Sequence, residues 1–528
     1  MRNSADSPRS DSQRRALEAF AVAAALCALA ALAAAWLFRQ GYILYYGDAQ
    51  SHLNISRGIV DSRTPGYDQL GNVWLPVLHA ICIPFVRNDW MWRTGVAGTI
   101  PVAMCFVVAG TFFYLAAREA YGSSLAAAAA LSCLALNPNV LYLASIPMTE
   151  VVFLAGLAAM LFALLRYRAT GRLRFVALAL AASWWMSLTR YDGWFLIPFA
   201  ALWLAANAGK RGWVLFMLFG AMASLAPLYW FAHNWWETGN ALDFYNGPYS
   251  AKAIQASHPY PGDRDWKLAI VYYLGAGTLC SGASLMILGV AGAWAAVKKR
   301  AAAPVFFLLL TPVFYVWSMH SSASTPIFIP QLWPYSYYNS RYGLAMVVFS
   351  AFAAGAITLV ARSRRRLLAL AIPILSIAPW FIRPSKERWI CWKESQVNSI
   401  ARRAWTEDAA DFMSRHYRRG QGILTASGSG DLAGILCRDE IPLREAIYIG
   451  NHPLYMANEA RPDLIHGALW AVAQAGDPID RALETKKGSA YRTTKVIQAP
   501  GAPALRIYER TDTGVLNDGD PIQQAARR

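Results

Sequence analysis

The chain has 528 residues, of which 56% are apolar and only 15% charged, against about 25% charged in an average soluble protein. Mean hydropathy is +0.27, so most of this length is suited to lipid; a secreted enzyme, a coiled coil and a disordered protein are excluded. The 49 Lys and Arg against 32 Asp and Glu give a net charge of +17, but the basic residues fall in short runs between apolar spans. That pattern orients a membrane protein, and no nucleic-acid partner is expected. The seven cysteines include no C-x-x-C pair, which argues against a zinc or redox site.

The N-terminal segment 1–15 carries Arg2, Arg9, Arg14 and Arg15. Ala16 to Phe38 then form an apolar run longer than the core of a signal peptide, which is about 7–15 residues. At about 1.5 Å per residue this run crosses a roughly 30 Å hydrocarbon core. It reads as a retained first helix with its N-terminus in the cytoplasm. Ten further apolar segments lie at 94–117, 124–145, 150–165, 175–189, 193–208, 212–232, 268–297, 303–320, 342–361 and 367–382. Alternate connections hold the basic runs: Arg118; Arg166 to Arg174; Lys210 and Arg211; Lys298 to Arg300; and Arg362 to Arg366. All fall on the side of the N-terminal arginines, as the positive-inside rule requires. The expected fold is a polytopic α-helical membrane protein of the cell inner membrane with about eleven transmembrane helices, N-terminus in and C-terminus out. Its membrane domain covers 16–382, with a first outer loop at 39–93.

From 383 the texture changes, and 383–510 reads as a small extracytoplasmic α/β domain. Lys393 to Tyr417 resembles an amphipathic helix. Gly422–Ser427, Ala468–Ala473, Tyr491–Gln498 and Ala504–Tyr508 read as strands, with short helices at Asp431–Leu436 and Pro478–Glu484. Gly428, Gly430 and Gly434 approach a dinucleotide fingerprint but lack its acidic partner, so they read as a tight turn with close helix packing. Cys391 and Cys437 share this exported part, where a disulfide can form. The polar tail 511–528 reads as frayed.

The outer connections are rich in Trp, Tyr, Pro, Gly, Asp and His, and loops on a rigid scaffold often carry chemistry. In the first of them, Asp48 stands where a helix can start, and its carboxylate suits either a helix N-terminus or a catalytic base. A helix there puts Asp48, Ser51 and His52 on one side. The pair could bind a divalent cation, but two potential ligands do not make a metal site, so no cofactor is expected. The sequon Asn54-Ile55-Ser56 lies too near the membrane to be read as glycosylated. Trp74 and Leu75 suit the headgroup region. Three further groups carry charge at span ends: Glu150; Arg190 with Asp192; and Asn339, Arg341 and Tyr342. Charge at that depth points to function or to an internal ion pair such as Arg190 with Glu150 or Asp192. A guanidinium fork suits a lipid phosphate, with Arg341 the first choice and Arg190 the second.

The run Gly47-Asp48-Ala49-Gln50-Ser51-His52-Leu53-Asn54-Ile55, with Trp74-Leu75-Pro76, resembles the first outer loop of the membrane-embedded C-type glycosyltransferase superfamily. Protein O-mannosyltransferases and the lipid A aminoarabinose transferases belong to that superfamily. Pro147 to Glu150, Thr189 to Trp194 and Asn339 to Gly343 also look like its bacterial members. The resemblance covers about Ala16 to Phe381. It implies transfer of a sugar from a polyprenyl-phosphate donor to a glycan, lipid or protein acceptor outside the cytoplasm, with Asp48 at the catalytic acidic position. Many members have two adjacent acidic residues there. Here Ala49 follows Asp48, so the second carboxylate is either absent or comes from elsewhere, with Glu150 and Asp192 the candidates.

The expected mechanism is a single displacement with inversion. Asp48 takes the proton of the acceptor hydroxyl, His52 orients it, and Arg341 with Arg190 stabilises the leaving phosphate. Glu150, Asp192, Asn339 and Tyr342 complete the expected substrate site. The competing classes are a multi-span transporter or lipid flippase, which also needs buried charge, and an assembly subunit.

Overall fold

The computed structural model describes residues 8–512 except 256–258, 323–324, 361, 383–384, 427–433, 437, 465–466 and 486–489. The chain divides into two units. One comprises Met1–Ile43, Asn72–Ile81 and Gly98–Val397; the other comprises Leu44–Gly71, Cys82–Ala97 and Asn398–Arg528.

The first unit is helical. Among the described residues, seven helices are long and apolar enough to cross a membrane: Gln13–Arg39, Val96–Tyr121, Thr149–Thr170, Gly209–Thr238, Ala302–Ser321, Ser340–Leu359 and Arg365–Ile382. Seven is fewer than the eleven apolar segments of the sequence, and the difference has local causes. Segment 124–145 is divided at Asn137-Pro138. The Asn137 side chain accepts from the backbone N–H groups of Asn139 and Val140, and Pro138 opens a new short helix, as a cap followed by proline at the first helical position favours. Segment 268–297 is two helices, Trp266–Ser281 and Ala283–Lys298, bent by 106°. Gly282 makes the bend at φ +76 and ψ 147, a conformation that costs other residues about 1–3 kcal/mol. Segments 175–189 and 193–208 form the shorter helices Leu173–Ser187 and Asp192–Ala206.

Helix Thr149–Thr170 is buried along almost its whole length. It packs on Leu173–Ser187, where Gly156 lets the Met186 side chain approach. Helices Ala283–Lys298 and Leu344–Gly355 meet through small residues. A Cβ on Gly292 would collide with the Ala353 carbonyl, and one on Gly289 with Ser350. Without a hydrophobic force between helices in lipid, such close backbone approach supplies the packing energy. Helix Ile390–Asn398 also belongs to this unit. Asn139 accepts from the Cys391 N–H at 3.0 Å, and Tyr142 bonds Ser395 at 2.7 Å. The second unit therefore takes up the chain at Asn398, later than the expected 383. Cys391 is a free thiol; Cys437, Gly428 and Gly430 lie outside the described residues, as does the tail from 513.

The second unit is built on a five-stranded sheet of order β2-β1-β3-β5-β4. Its strands are β1 (Ile423–Leu424), β2 (Ala446–Ile447), β3 (Trp470–Gln474), β4 (Tyr491–Ile497) and β5 (Leu505–Arg510). The β1 pairings with β2 and β3 are parallel; those of β5 with β3 and β4 are antiparallel. Leu424, Ile447, Tyr455, Ala471, Ile479, Leu483 and Tyr508 form its core. Helix Pro478–Glu484 falls where the sequence places it, capped by Asp477. The expected helix over Lys393–Tyr417 is two helices, Ile390–Asn398 and Ile400–His416.

The first loop is part of this same unit. Its helix Gly47–Gly58 is held by Arg402, which donates to Gln50 Oε1 at 2.5 Å and to the Leu44 and Tyr45 carbonyls. Gln69 donates to the Gly450 carbonyl at 2.6 Å and accepts from Tyr448 at 2.8 Å. Arg57 is buried. It pairs with Asp61 and Asp89, each at 2.5 Å, donates to the Val86 carbonyl at 2.6 Å and lies over Trp92. Arg444 pairs with the other oxygen of Asp61 at 2.8 Å. Asn54 is buried and accepts from the Trp92 indole at 3.1 Å, so the sequon asparagine is occupied by the fold.

Arg57→Ala leaves a buried carboxylate short of its cation and should cost about 3–5 kcal/mol. Arg438→Ala, which breaks the exposed pair with Asp411, should cost about 0–1 kcal/mol. Thermal unfolding of the purified chain checks both; equal midpoints would show that Arg57 does not hold this unit.

Candidate functional site

The first unit gathers its charged residues at helix ends. Thr149 and Glu150 open the central helix Thr149–Thr170. Arg190 precedes, and Asp192 begins, helix Asp192–Ala206. Arg341 and Tyr342 lie in the 3-10 turn Ser340–Gly343. Gly343 is needed there because a Cβ would collide with the Ala276 carbonyl. Two further residues join them from elements without a sequence motif: Tyr315 on helix Ala302–Ser321 and Glu394 on helix Ile390–Asn398.

These residues form one continuous network. Arg190 donates to Glu150 Oε1 at 3.2 Å, Thr149 Oγ1 at 2.8 Å, Asp192 Oδ1 at 3.2 Å and the Tyr315 hydroxyl at 3.0 Å. The Tyr315 hydroxyl donates in turn to Asp192 Oδ2 at 2.7 Å. Arg341 donates to the same Glu150 oxygen at 3.0 Å and to Glu394 Oε1 at 3.5 Å. Glu394 Oε2 accepts from both the backbone N–H and the hydroxyl of Ser340. Tyr342 stacks on Tyr315 at 4.8 Å, and Tyr315 on Tyr273 at 5.9 Å. Both guanidinium groups lie over the Tyr342 ring, at 5.2 and 5.6 Å.

Two arginines thus meet three carboxylates, Glu150, Asp192 and Glu394, whose side chains are at most 5% exposed. The count leaves one formal negative charge. Glu150 Oε2 is buried and has no hydrogen-bond partner among the described residues. Glu150 lines a cavity of about 30 Å³ with Arg190, Asp192, Tyr315, Arg341 and Tyr342, room for about one water. An unpaired carboxylate oxygen in such a place is a hydrogen-bond acceptor without a donor among the described residues.

The sequence-derived residues divide between the units. Glu150, Arg190, Asp192, Arg341 and Tyr342 come together. Asn339 serves the local turn, adopting φ +53 and donating to the Pro326 carbonyl at 3.0 Å. Asp48 and His52 belong to the second unit, on helix Gly47–Gly58, one turn apart as expected. Asp48 is half-buried in the first turn and His52 is buried. The two arginines expected to meet a phosphate are each held by carboxylates, so the internal ion pair foreseen for Arg190 is present with both Glu150 and Asp192. Among the described residues no group of three or more His, Cys, Asp or Glu is arranged to hold a metal ion.

Tyr315→Phe removes the hydroxyl that bridges Arg190 and Asp192 and should cost about 1–3 kcal/mol. Tyr335→Phe, at an exposed ring, should leave stability unchanged. A thermal shift in detergent separates them; no difference would show the bridge to be dispensable.

No protein-family model and no curated protein matches this chain.

Proposed function

We propose that the chain is an integral-membrane glycosyltransferase that moves a sugar from a polyprenyl-phosphate donor to an acceptor on the extracytoplasmic face. The reading includes eleven crossings of the inner membrane, with the N-terminus in the cytoplasm and the sheet unit outside, as the phase of the basic loops favours. The observation that carries it is a join between two unlike surfaces. An apolar groove of about 470 Å³ is lined by Phe195, Trp266, Ile270, Tyr273, Leu309 and Met346. Tyr273 is also the outer ring of the stack that ends at Tyr342 among the arginines. A lipid phosphate needs that combination: an apolar path for the chain and a guanidinium pair for the head.

The reaction forms a bond from the acceptor oxygen to the anomeric carbon and breaks the bond from that carbon to the phosphate oxygen. The phosphate leaves with the electron pair, and the acceptor proton passes to Asp48. His52, one turn away, orients that carboxylate. One displacement inverts the anomeric centre. Arg341 and Arg190 stabilise the charge that grows on the phosphate. The donor must compete with Glu150 and Glu394 for those forks, and a cavity of about 30 Å³ cannot take a sugar phosphate without side-chain movement. Donor binding therefore opens the ion network around Glu150.

A second reading, a lipid flippase, draws on the helix broken by 106° at Gly282, since transporters build sites on discontinuous helices. Transfer assays in proteoliposomes with a polyprenyl-phosphate sugar distinguish the two. The glycosyltransferase reading expects sugar to reach an added acceptor, and Asp48→Asn to slow transfer about 10²–10⁴-fold at normal expression. Lipid translocation without any sugar transfer would favour the flippase, and near-normal transfer by Asp48→Asn would remove that base.

A further inference from the structure

The first unit holds a second built cavity, separate from the network around Glu150. It has a volume of about 280 Å³, and four arginines line it: Arg15, Arg118, Arg166 and Arg174. They come from four different helices: Pro8–Arg39, Val96–Tyr121, Thr149–Thr170 and Leu173–Ser187. Among the described residues, Glu119 is the one carboxylate in the lining. One of its oxygens is shared by Arg15 at 2.9 Å and Arg166 at 3.0 Å. Arg118 is paired behind the cavity with Glu18 at 2.5 Å. Arg174 makes no ion pair among the described residues; its guanidinium lies over the Phe175 ring at 4.9 Å, and Arg166 covers the same ring at 5.4 Å.

The remaining wall is apolar, from Leu115, Phe162 and Phe175 with two alanines of the first helix. Helix Leu173–Ser187 also begins here without a side-chain cap, so its N-terminal end adds positive potential. The cavity thus offers excess guanidinium at one side and hydrocarbon contact at the other. These are the two requirements of a lipid that ends in a phosphate.

We propose that this pocket binds the phosphodiester of an anionic membrane phospholipid, with an acyl chain against Leu115 and Phe162. The lipid bridges the first helix to the helices around Thr149–Thr170 by adding an anion where, among the described residues, Glu119 and Glu18 pair with three of the four arginines. The site is independent of the transfer reaction and does not rest on it. Free inorganic phosphate shares the headgroup chemistry but gains nothing from the apolar wall.

Native mass spectrometry and thermal shift on the delipidated full chain test the proposal. The probes are phosphatidylglycerol, phosphatidylethanolamine and inorganic phosphate. The proposal expects phosphatidylglycerol to be retained and to raise the unfolding midpoint, with little effect from the other two. Arg174→Gln changes an exposed side chain outside any ion pair and should weaken phosphatidylglycerol retention about fivefold. Equal response to phosphatidylethanolamine, or unchanged retention in Arg174→Gln, overturns the site. A full shift with inorganic phosphate alone overturns the lipid as its occupant. The wild-type comparison stands even if the variant does not fold.

Discussion

One carboxylate oxygen, Glu150 Oε1, accepts from both Arg190 and Arg341. The arrangement of this end of the first unit follows from that shared acceptor. Each ion taken out of water carries a penalty of several kcal/mol even after relaxation. Three carboxylates and two guanidinium groups can be buried together only if nearly every oxygen and N–H is used. Meeting that demand ties the start of the central helix to the Arg190–Asp192 turn, the Ser340–Gly343 turn and helix Ile390–Asn398. Tyr315 supplies the hydroxyl that neither charge type can, since it both accepts from Arg190 and donates to Asp192.

The apolar segments were legible because their length and composition leave the backbone no partner except itself. Among the described residues, each of the eleven is helical over most of its length, but hydropathy does not reveal where a helix stops short. The breaks at Asn137-Pro138 and Gly282 come from a side-chain cap and a left-handed backbone, both local features inside runs of uniform hydropathy. In the tail, β4, β5 and helix Pro478–Glu484 fall where the sequence places them, while β2, two residues long, carried too little pattern to be seen.

The charged cluster was half legible. Glu150, Arg190, Asp192 and Arg341 stand out because charge beside apolar spans is rare. Glu394 sits in a polar stretch where a glutamate carries no signal, and Tyr315 is one aromatic among many. Their roles exist only through tertiary contacts with Ser340, Arg341 and Arg190. The same holds for the first loop. Its helix around Asp48 was foreseen, but its membership of the sheet unit depends on Arg402, Arg444 and Tyr448, hundreds of residues later. The expected 383–510 domain lacked that partner, and Asp48 and Arg341, expected in one site, belong to different units.

The proposed chemistry requires Arg190 and Arg341 to exchange a carboxylate for a phosphate, with Glu150 released in the process. A structure of the full chain bound to a polyprenyl-phosphate sugar tests this most directly. The account predicts phosphate oxygens about 3 Å from both guanidinium groups, with the Glu150 pairs broken. A donor bound with its phosphate elsewhere, and the network of Glu150, Arg190 and Arg341 intact, would contradict it.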